Sequence, residues 1–230
     1  LLEFCIRDDL NKTADRKMVV INPLKLTITN YPEDKEESVV SENNPEQESS
    51  GTRELPFSKH LYIEKEDFKE EAGRKFFRLT LGKEVRLKSA YIIKGEGVLR
   101  NQAGEITEVL CTYDPKSKSG SGTQESLRKV KGTLHWVCQK QAVPVIIREY
   151  DRLFMAEVPG SEDGNFLKDL NPHSLAVVNG YAEPSLAKAT KEESFQFQRK
   201  GYFVVDKEST NKKMIFNKTV SLRDGWGKKD

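Results

Sequence analysis

Cysteine and histidine are scarce in this sequence, long apolar runs are missing, and each absence closes off a class of function. Cys5, Cys111 and Cys138 stand far apart and form no CxxC, so neither a disulfide framework nor a thiolate zinc site is encoded. A reducing, cytoplasmic setting follows. His60, His135 and His173 are isolated from one another and from the cysteines, and each reads as a surface or satisfied core residue. There is no P-loop, GxSxG, HExxH or GxGxxG. No stretch approaches the roughly 20 apolar residues a membrane helix needs, and residues 1–7 are too short and too charged for a secretory leader, so no membrane partner is expected. No repeat of fixed period is present, which disfavours a solenoid. The opening without Met, in mid-pattern, reads as a piece of a longer chain.

What is present is a moderately apolar, heavily charged chain of 230 residues, long enough for one large or two small domains. With 36% hydrophobic and 32% charged residues it supports modest cores under a thick polar surface. The net charge of +2 announces no polyanion partner, so a nucleic-acid site has to arise from segregated charge. Acidic residues do gather in 33–48, whereas Arg74, Lys75, Arg78, Lys83, Arg86, Lys88 and Lys94 follow within a short span.

Periodicity divides the chain. Leu2, Ile6 and Leu10 have helical spacing and read as the end of an amphipathic helix, after which Leu24, Leu26 and Ile28 alternate with polar residues as in a half-buried strand. Similar runs lie near 61–63, 78–87, 90–94, 106–111, 130–137, 143–150, 175–179, 195–197, 202–206 and 214–222. Many short strands with few helices favour barrels or sandwiches. Phe68, Ala72 and Phe76 have helical spacing, and 183–186 reads as a brief turn of helix. Segments 32–51, 114–128 and 159–173 read as loops, and connections longer than about 12–15 residues are usually functional or disordered. A boundary is expected near Gly132.

Two patterns carry candidate binding chemistry. In 78–88, alternation buries Leu79, Leu81, Val85 and Leu87 and sends Arg78, Arg86 and Lys88 to the opposite face, where guanidinium groups on a strand can donate to phosphates or base edges. An ordinary solvated strand face has the same pattern and is the commoner case. In 195–203, Phe195 and Phe197 anchor a core while Gln196 and Gln198 share the other face beside Arg199; amides can read unstacked bases, although a plain barrel strand looks alike. Arg16, where the first helix gives way to a strand, can point into a groove or belong to a basic turn. Glu36 with Glu37 and Glu192 with Glu193 lie in loop-like segments and read as solvation.

The string Leu81-Gly82-Lys83-Glu84-Val85-Arg86-Leu87, with Tyr91 and Lys94 after it, resembles the anticodon-binding region of bacterial glutaminyl-tRNA synthetases. So do Val20-Ile21-Asn22-Pro23, Leu55-Pro56-Phe57-Ser58, Lys129-Val130-Lys131-Gly132 with His135-Trp136-Val137, and Tyr150-Asp151-Arg152-Leu153-Phe154. Gly180-Tyr181-Ala182-Glu183-Pro184-Ser185-Leu186, the 195–203 cluster, and Phe216-Asn217-Lys218-Thr219-Val220 through Trp226 complete a resemblance that runs in order from end to end.

The resemblance implies a mainly β chain of two β-barrels, proximal and distal to a catalytic body, with short helices and the last strand returning to the proximal barrel. The expected division is 1–17 as a helical connector, 18–132 plus 208–227 as the proximal barrel and 133–207 as the distal barrel. It also implies that the barrels grip the anticodon stem-loop of tRNA(Gln) and splay its bases. On that analogy Arg16 helps bind the anticodon, Arg78 serves the third base, Arg86 approaches the first with Lys88 nearby, and Gln196 and Arg199 read the central uridine.

The sequence departs from the family at three points. Glu46 stands where relatives can carry an Asn, Lys88 where an Arg often occurs, and Phe77 replaces a basic residue, which shifts that pocket towards stacking. HIGH- and KMSKS-like sequences are absent, so the resemblance implies no cofactor and no charging activity in this chain, with ATP and Mg belonging to a catalytic domain of the same, monomeric, protein. Rival readings are the related glutamyl-tRNA synthetase of archaeal or eukaryotic type, and a non-catalytic protein- or oligonucleotide-binding barrel.

Overall fold

Alternating apolar residues set at strand spacing, punctuated by turns, give sixteen short strands and little helix in the computed structural model, which describes residues 1–223. In chain order these are α1 (Leu2–Thr13), β1 (Asp15–Lys17), β2 (Val19–Val20), β3 (Pro23–Ile28), β4 (Glu37–Glu42), β5 (Thr52–Phe57), β6 (His60–Glu64), β7 (Glu84–Leu87), β8 (Ile92–Arg100) and β9 (Ile106–Tyr113). There follow α2 (Gln124–Leu127), β10 (Thr133–Leu134), β11 (Val137–Cys138), β12 (Val143–Tyr150), β13 (Leu175–Ala182), β14 (Ser194–Phe197), β15 (Gly201–Val205) and β16 (Met214–Val220).

They assemble into two seven-stranded sheets. The first has the order β10-β7-β8-β9-β3-β6-β11, the second β1-β14-β15-β16-β12-β13-β2, and β4 with β5 forms a separate hairpin. One sheet curls into a nearly closed barrel and the other into a half-barrel. Inward residues such as Leu26, Leu61, Ile63, Val85, Leu87 and Val109 fill the first, and Ile147, Phe197, Phe203, Val205 and Phe216 the second. Each such side chain contributes about 1.5–3 kcal/mol on burial, so the two separate cores are each sufficient to set their own strand registers.

The two cores meet. Met18, Val20 and the partly buried Tyr181, from the second sheet and its entry, pack on the first core, and Tyr62 stacks on Tyr181 with ring centroids 4.2 Å apart. Buried carboxylates add fixed links. Glu183 accepts Arg53 at 2.5 and 2.8 Å together with the Met18 amide at 2.8 Å. Glu64 accepts the amides of Ile21 and Asn22, Nε2 of His135 at 3.3 Å, and the charge of Lys200 at 3.4 Å. Burial pushes the Glu64 carboxyl up, but His135, Lys200 and the Ile21 amide outweigh it and bring its pKa down to about 2.

Several expectations need correction. The last strand, allotted to the 18–132 group, pairs instead with β12 and β15, so β16 belongs to the sheet built from 143–205. The boundary at Gly132 also moves, because β10 and β11 pair with β7 and β6 of the first sheet, while β1 and β2 pair with β14 and β13 of the second. Both outcomes are long-range pairings that local alternation cannot announce. Tyr202 and Val220 of that second sheet, with Ala14, also receive Ile6 and Leu10 of α1.

Local forecasts moved as well. The helical spacing at Phe68, Ala72 and Phe76 yields only the 3₁₀ turn Lys65–Asp67 before it. The run 78–87 breaks at Gly82, whose φ of 74° ends one extended stretch before β7 begins. As a result Leu79, Val85 and Leu87 are buried but Leu81 is not. Segment 32–51 carries β4 and is hydrogen-bonded to β5 from Glu37 to Glu42, so it is not a structureless loop. Trp226 and the expected 224–227 end of the barrel lie outside the described residues.

Candidate nucleic-acid interface

Strand ends at the junction of the sheets carry the candidate residues. α1 closes at Thr13 and the chain turns extended at Ala14, which delivers Arg16 on β1 as the parallel register partner of Gln196 on β14. Arg16 donates Nη2 to Asn11 at 3.2 Å and has Glu46 at 3.8 Å, while its buried Nε finds no hydrogen-bond partner among the described residues. A buried donor without a partner is uncommon in a folded protein. Gln196 is itself buried, its Nε2 donating to the Tyr202 hydroxyl at 2.8 Å, and that hydroxyl donates to the same Asn11 at 3.3 Å. Asn11 and Tyr202 therefore aim Arg16 and Gln196 together.

The β14–β15 hairpin turns through Arg199, a non-glycine residue at φ 69°. That uncommon left-handed geometry sends its side chain across to the first sheet, where Nη1 and Nη2 donate to the fully buried Asp67 at 2.6 and 2.7 Å. Arg78 reaches the same carboxylate, its Nε lying 3.2 Å away, and donates Nη1 to the Glu66 carbonyl at 3.1 Å. His135 Nδ1 lies 3.4 Å from Arg199 Nη1, so the ring accepts there and donates from Nε2 to Glu64.

Arg86 behaves differently. It donates to the carbonyls of Ser117, Ser126 and Arg128 and to the Ser119 hydroxyl, at 2.8–3.3 Å, and thereby holds segment 115–128 against β7. Lys88 follows at the tip of the β7–β8 connection, beside Ser89 at φ 60°.

Two cavities flank these groups. One, of about 570 Å³, is lined by Phe76, Phe77, Arg74, Arg78, Lys83, Lys94 and Lys131, with Glu84 as its one carboxylate among the described residues and Gly132 at its wall. Phe77 is half exposed and Lys131 Nζ lies 5.5 Å from its ring centre. Glu84 is paired with Arg128, which leaves the cavity net basic. The other, of about 540 Å³, draws Arg16 and Gln198 from the second sheet and its turn, Lys88, Ser89 and Lys118 from the first, and residues of the β4–β5 hairpin, with Glu42. Lys118 is steadied by Glu37 at 2.7 Å. Burial raises the Glu37 carboxyl, and bonds from Lys118, Tyr31 and Tyr91 more than reverse this, to about 2.

Arg16 and Lys88 thus share one cavity, Arg78 opens into the other, and Arg199 ties the two through Asp67 on one side and its neighbour Gln198 on the other. Gln196 touches neither cavity wall directly, and Arg86 braces the first sheet behind them. Sequence reasoning missed Asp67, Lys118, Lys131 and Tyr202. Lys131 lies within the 129–132 motif and Tyr202 within 195–203, but nothing local marks Asp67, which is 132 residues from its partner Arg199. A basic cavity with an exposed aromatic ring can take a base by stacking and a phosphate by charge, and guanidinium groups that line it can discriminate base edges. Among the described residues no cluster of His, Cys, Asp and Glu is suited to hold a metal, and no helix is long and apolar enough to cross a membrane.

Residues 14–114 match the family model described as the anticodon-binding domain of class I tRNA synthetases (E and Q), and residues 133–206 match a second model with the same description. Among curated proteins, the glutamine–tRNA ligase of Rhodopirellula baltica is 54% identical over 229 residues, covering 99% of this chain and 38% of that protein. Those of Proteus mirabilis and Aliivibrio fischeri are 51% and 49% identical over 227 and 226 residues, covering 99% and 98% of this chain and 40% of each relative. The chain therefore spans about two fifths of the length of the relatives it matches.

Proposed function

Since this chain belongs to the anticodon-binding family of class I tRNA synthetases for glutamate and glutamine, we propose that it reads the anticodon of tRNA(Gln) for a longer glutamine–tRNA ligase. The names of its relatives support the glutamine assignment. The observation that carries the reading is the pair of basic cavities, one holding Arg78 beside a half-exposed aromatic ring and the other holding Arg16 and Lys88, while Arg78 and Arg199 meet on Asp67.

The third anticodon base stacks on Phe77 and meets Arg78, with Lys131 supplying the cation that Phe77 displaces. The central uridine meets Arg199 and the Gln196 amide, which Tyr202 holds in place. The first base enters beside Lys88 and Arg16, with Arg86 bracing that wall from behind. Bases splayed into separate sites are recognised by their edges while lysines take the backbone charge.

In the longer protein, a catalytic domain using ATP with Mg attaches glutamine, and this chain contributes binding energy that favours the productive tRNA pose. It works as a cytoplasmic monomer, and the barrel carrying β16 and packed on α1 is the one proximal to that domain.

Titration of the chain with anticodon hairpins varied one base at a time tests the assignment. Wild type is expected to favour the glutamine anticodon, and Gln196→Ala to lose about 1–3 kcal/mol of discrimination at the central base alone. Equal losses on every hairpin would remove Gln196 from base reading, and affinity indifferent to all three bases would overturn the function.

A further inference from the structure

Asp67 ends the 3₁₀ turn Lys65–Asp67, and its carboxylate is fully buried. It is nonetheless the meeting point of two arginines, one from the connection before β7 of the first sheet and one from the β14–β15 turn of the second. Arg199 meets it with two bonds, at 2.6 and 2.7 Å, and Arg78 with one contact at 3.2 Å. The paired bonds fix the plane of the Arg199 guanidinium, while Arg78 is held more loosely and lines the basic cavity.

A desolvated carboxylate is strongly unfavourable without a cation beside it. RNA therefore cannot draw both arginines away at once, and the position of one constrains the other. No residue next to Asp67 in sequence supplies a substitute, because Glu66 carries the same sign and Phe68 is apolar.

We propose that Asp67 is a positioning residue that ties the reading of the central anticodon base to the reading of the third. It fixes Arg199 and lends its remaining contact to Arg78, so the two arginines engage neighbouring bases as one unit. This rests on the roles given above to Arg78 and Arg199.

The test measures affinities of the chain for four RNA hairpins: cognate, substituted at the central base, substituted at the third, and substituted at both. Arg78→Gln is expected to lose discrimination at the third base, Arg199→Gln at the central base, and Asp67→Asn at both, each by about tenfold. Asp67→Glu, which keeps the charge, should recover part of both. In wild type the double substitution should differ from the product of the single losses, and in Asp67→Asn it should match that product.

Asp67→Asn weakening all hairpins by one common factor would reduce Asp67 to a structural link, and retention of both discriminations would overturn the proposal outright. If Asp67→Asn does not fold, wild type and Asp67→Glu decide, since strictly multiplicative losses in both would also overturn it. Should wild type fail to discriminate at either base, the roles of Arg78 and Arg199 fall first. If those two variants behave as expected while Asp67→Asn does not, only the coupling through Asp67 falls.

Discussion

Arg199 crosses from the second sheet to the first and closes on Asp67 with both terminal nitrogens, at 2.6 and 2.7 Å, so the guanidinium proposed to meet the central base is also a bolt between the two halves of the fold. On the proposed reading, binding and architecture are carried by the same side chain. The asymmetry of burial decides how each partner behaves when removed: Asp67 is inaccessible, whereas Arg199 is about one third exposed.

Arg199→Ala leaves the buried carboxylate with Arg78 as its one remaining cation among the described residues and is expected to cost about 2–3 kcal/mol of stability. Asp67→Ala leaves partly hydrated arginines and should cost less, about 1–2 kcal/mol. Urea unfolding of both variants checks the order; the reverse order would mean that hydration of Arg199, not burial of Asp67, controls the junction.

Arg86 spends its donors on carbonyls of segment 115–128. Arg86→Ala should therefore lower stability by about 1–3 kcal/mol while leaving the salt dependence of RNA binding close to wild type. A salt slope reduced by about one unit, measured by titration at several ionic strengths, would instead place Arg86 on a phosphate.

Phe77 presents a half-exposed ring in the basic cavity with Lys131 against it. Phe77→Ala is expected to lose about 1–3 kcal/mol of hairpin affinity through lost stacking, with little change in unfolding midpoint because the ring is not part of either core. Hairpins lacking the third base should show no such loss.

Glu64 is fully buried, and its folded pKa of about 2 lies below the ordinary value of 4.5. A depressed carboxylate stabilises the fold above its unfolded pKa, and that contribution disappears as pH falls from about 4.5 to about 2. Wild type should lose stability through this window, with Glu37 adding to the effect since its pKa is also about 2. Glu64→Gln should be less stable at neutral pH by a few kcal/mol and fall less steeply on acidification, as followed by circular dichroism.

Sequence by itself determined most of the longer strands, though not β4 or β5, and most of the chemistry that lies within a few residues. Val143–Tyr150 and Ile106–Tyr113 are legible because alternation is a local consequence of pleating, and Phe195 and Phe197 face the core with Gln196 and Gln198 opposite for the same reason. Only the tertiary structure decided which sheet receives β16, where the boundary near Gly132 falls, and that Arg78 and Arg199 share Asp67. Those outcomes are set by pairings and contacts between residues distant in the chain, and by the need of a buried charge for a counterion. Neither leaves a mark on the residues beside it in sequence.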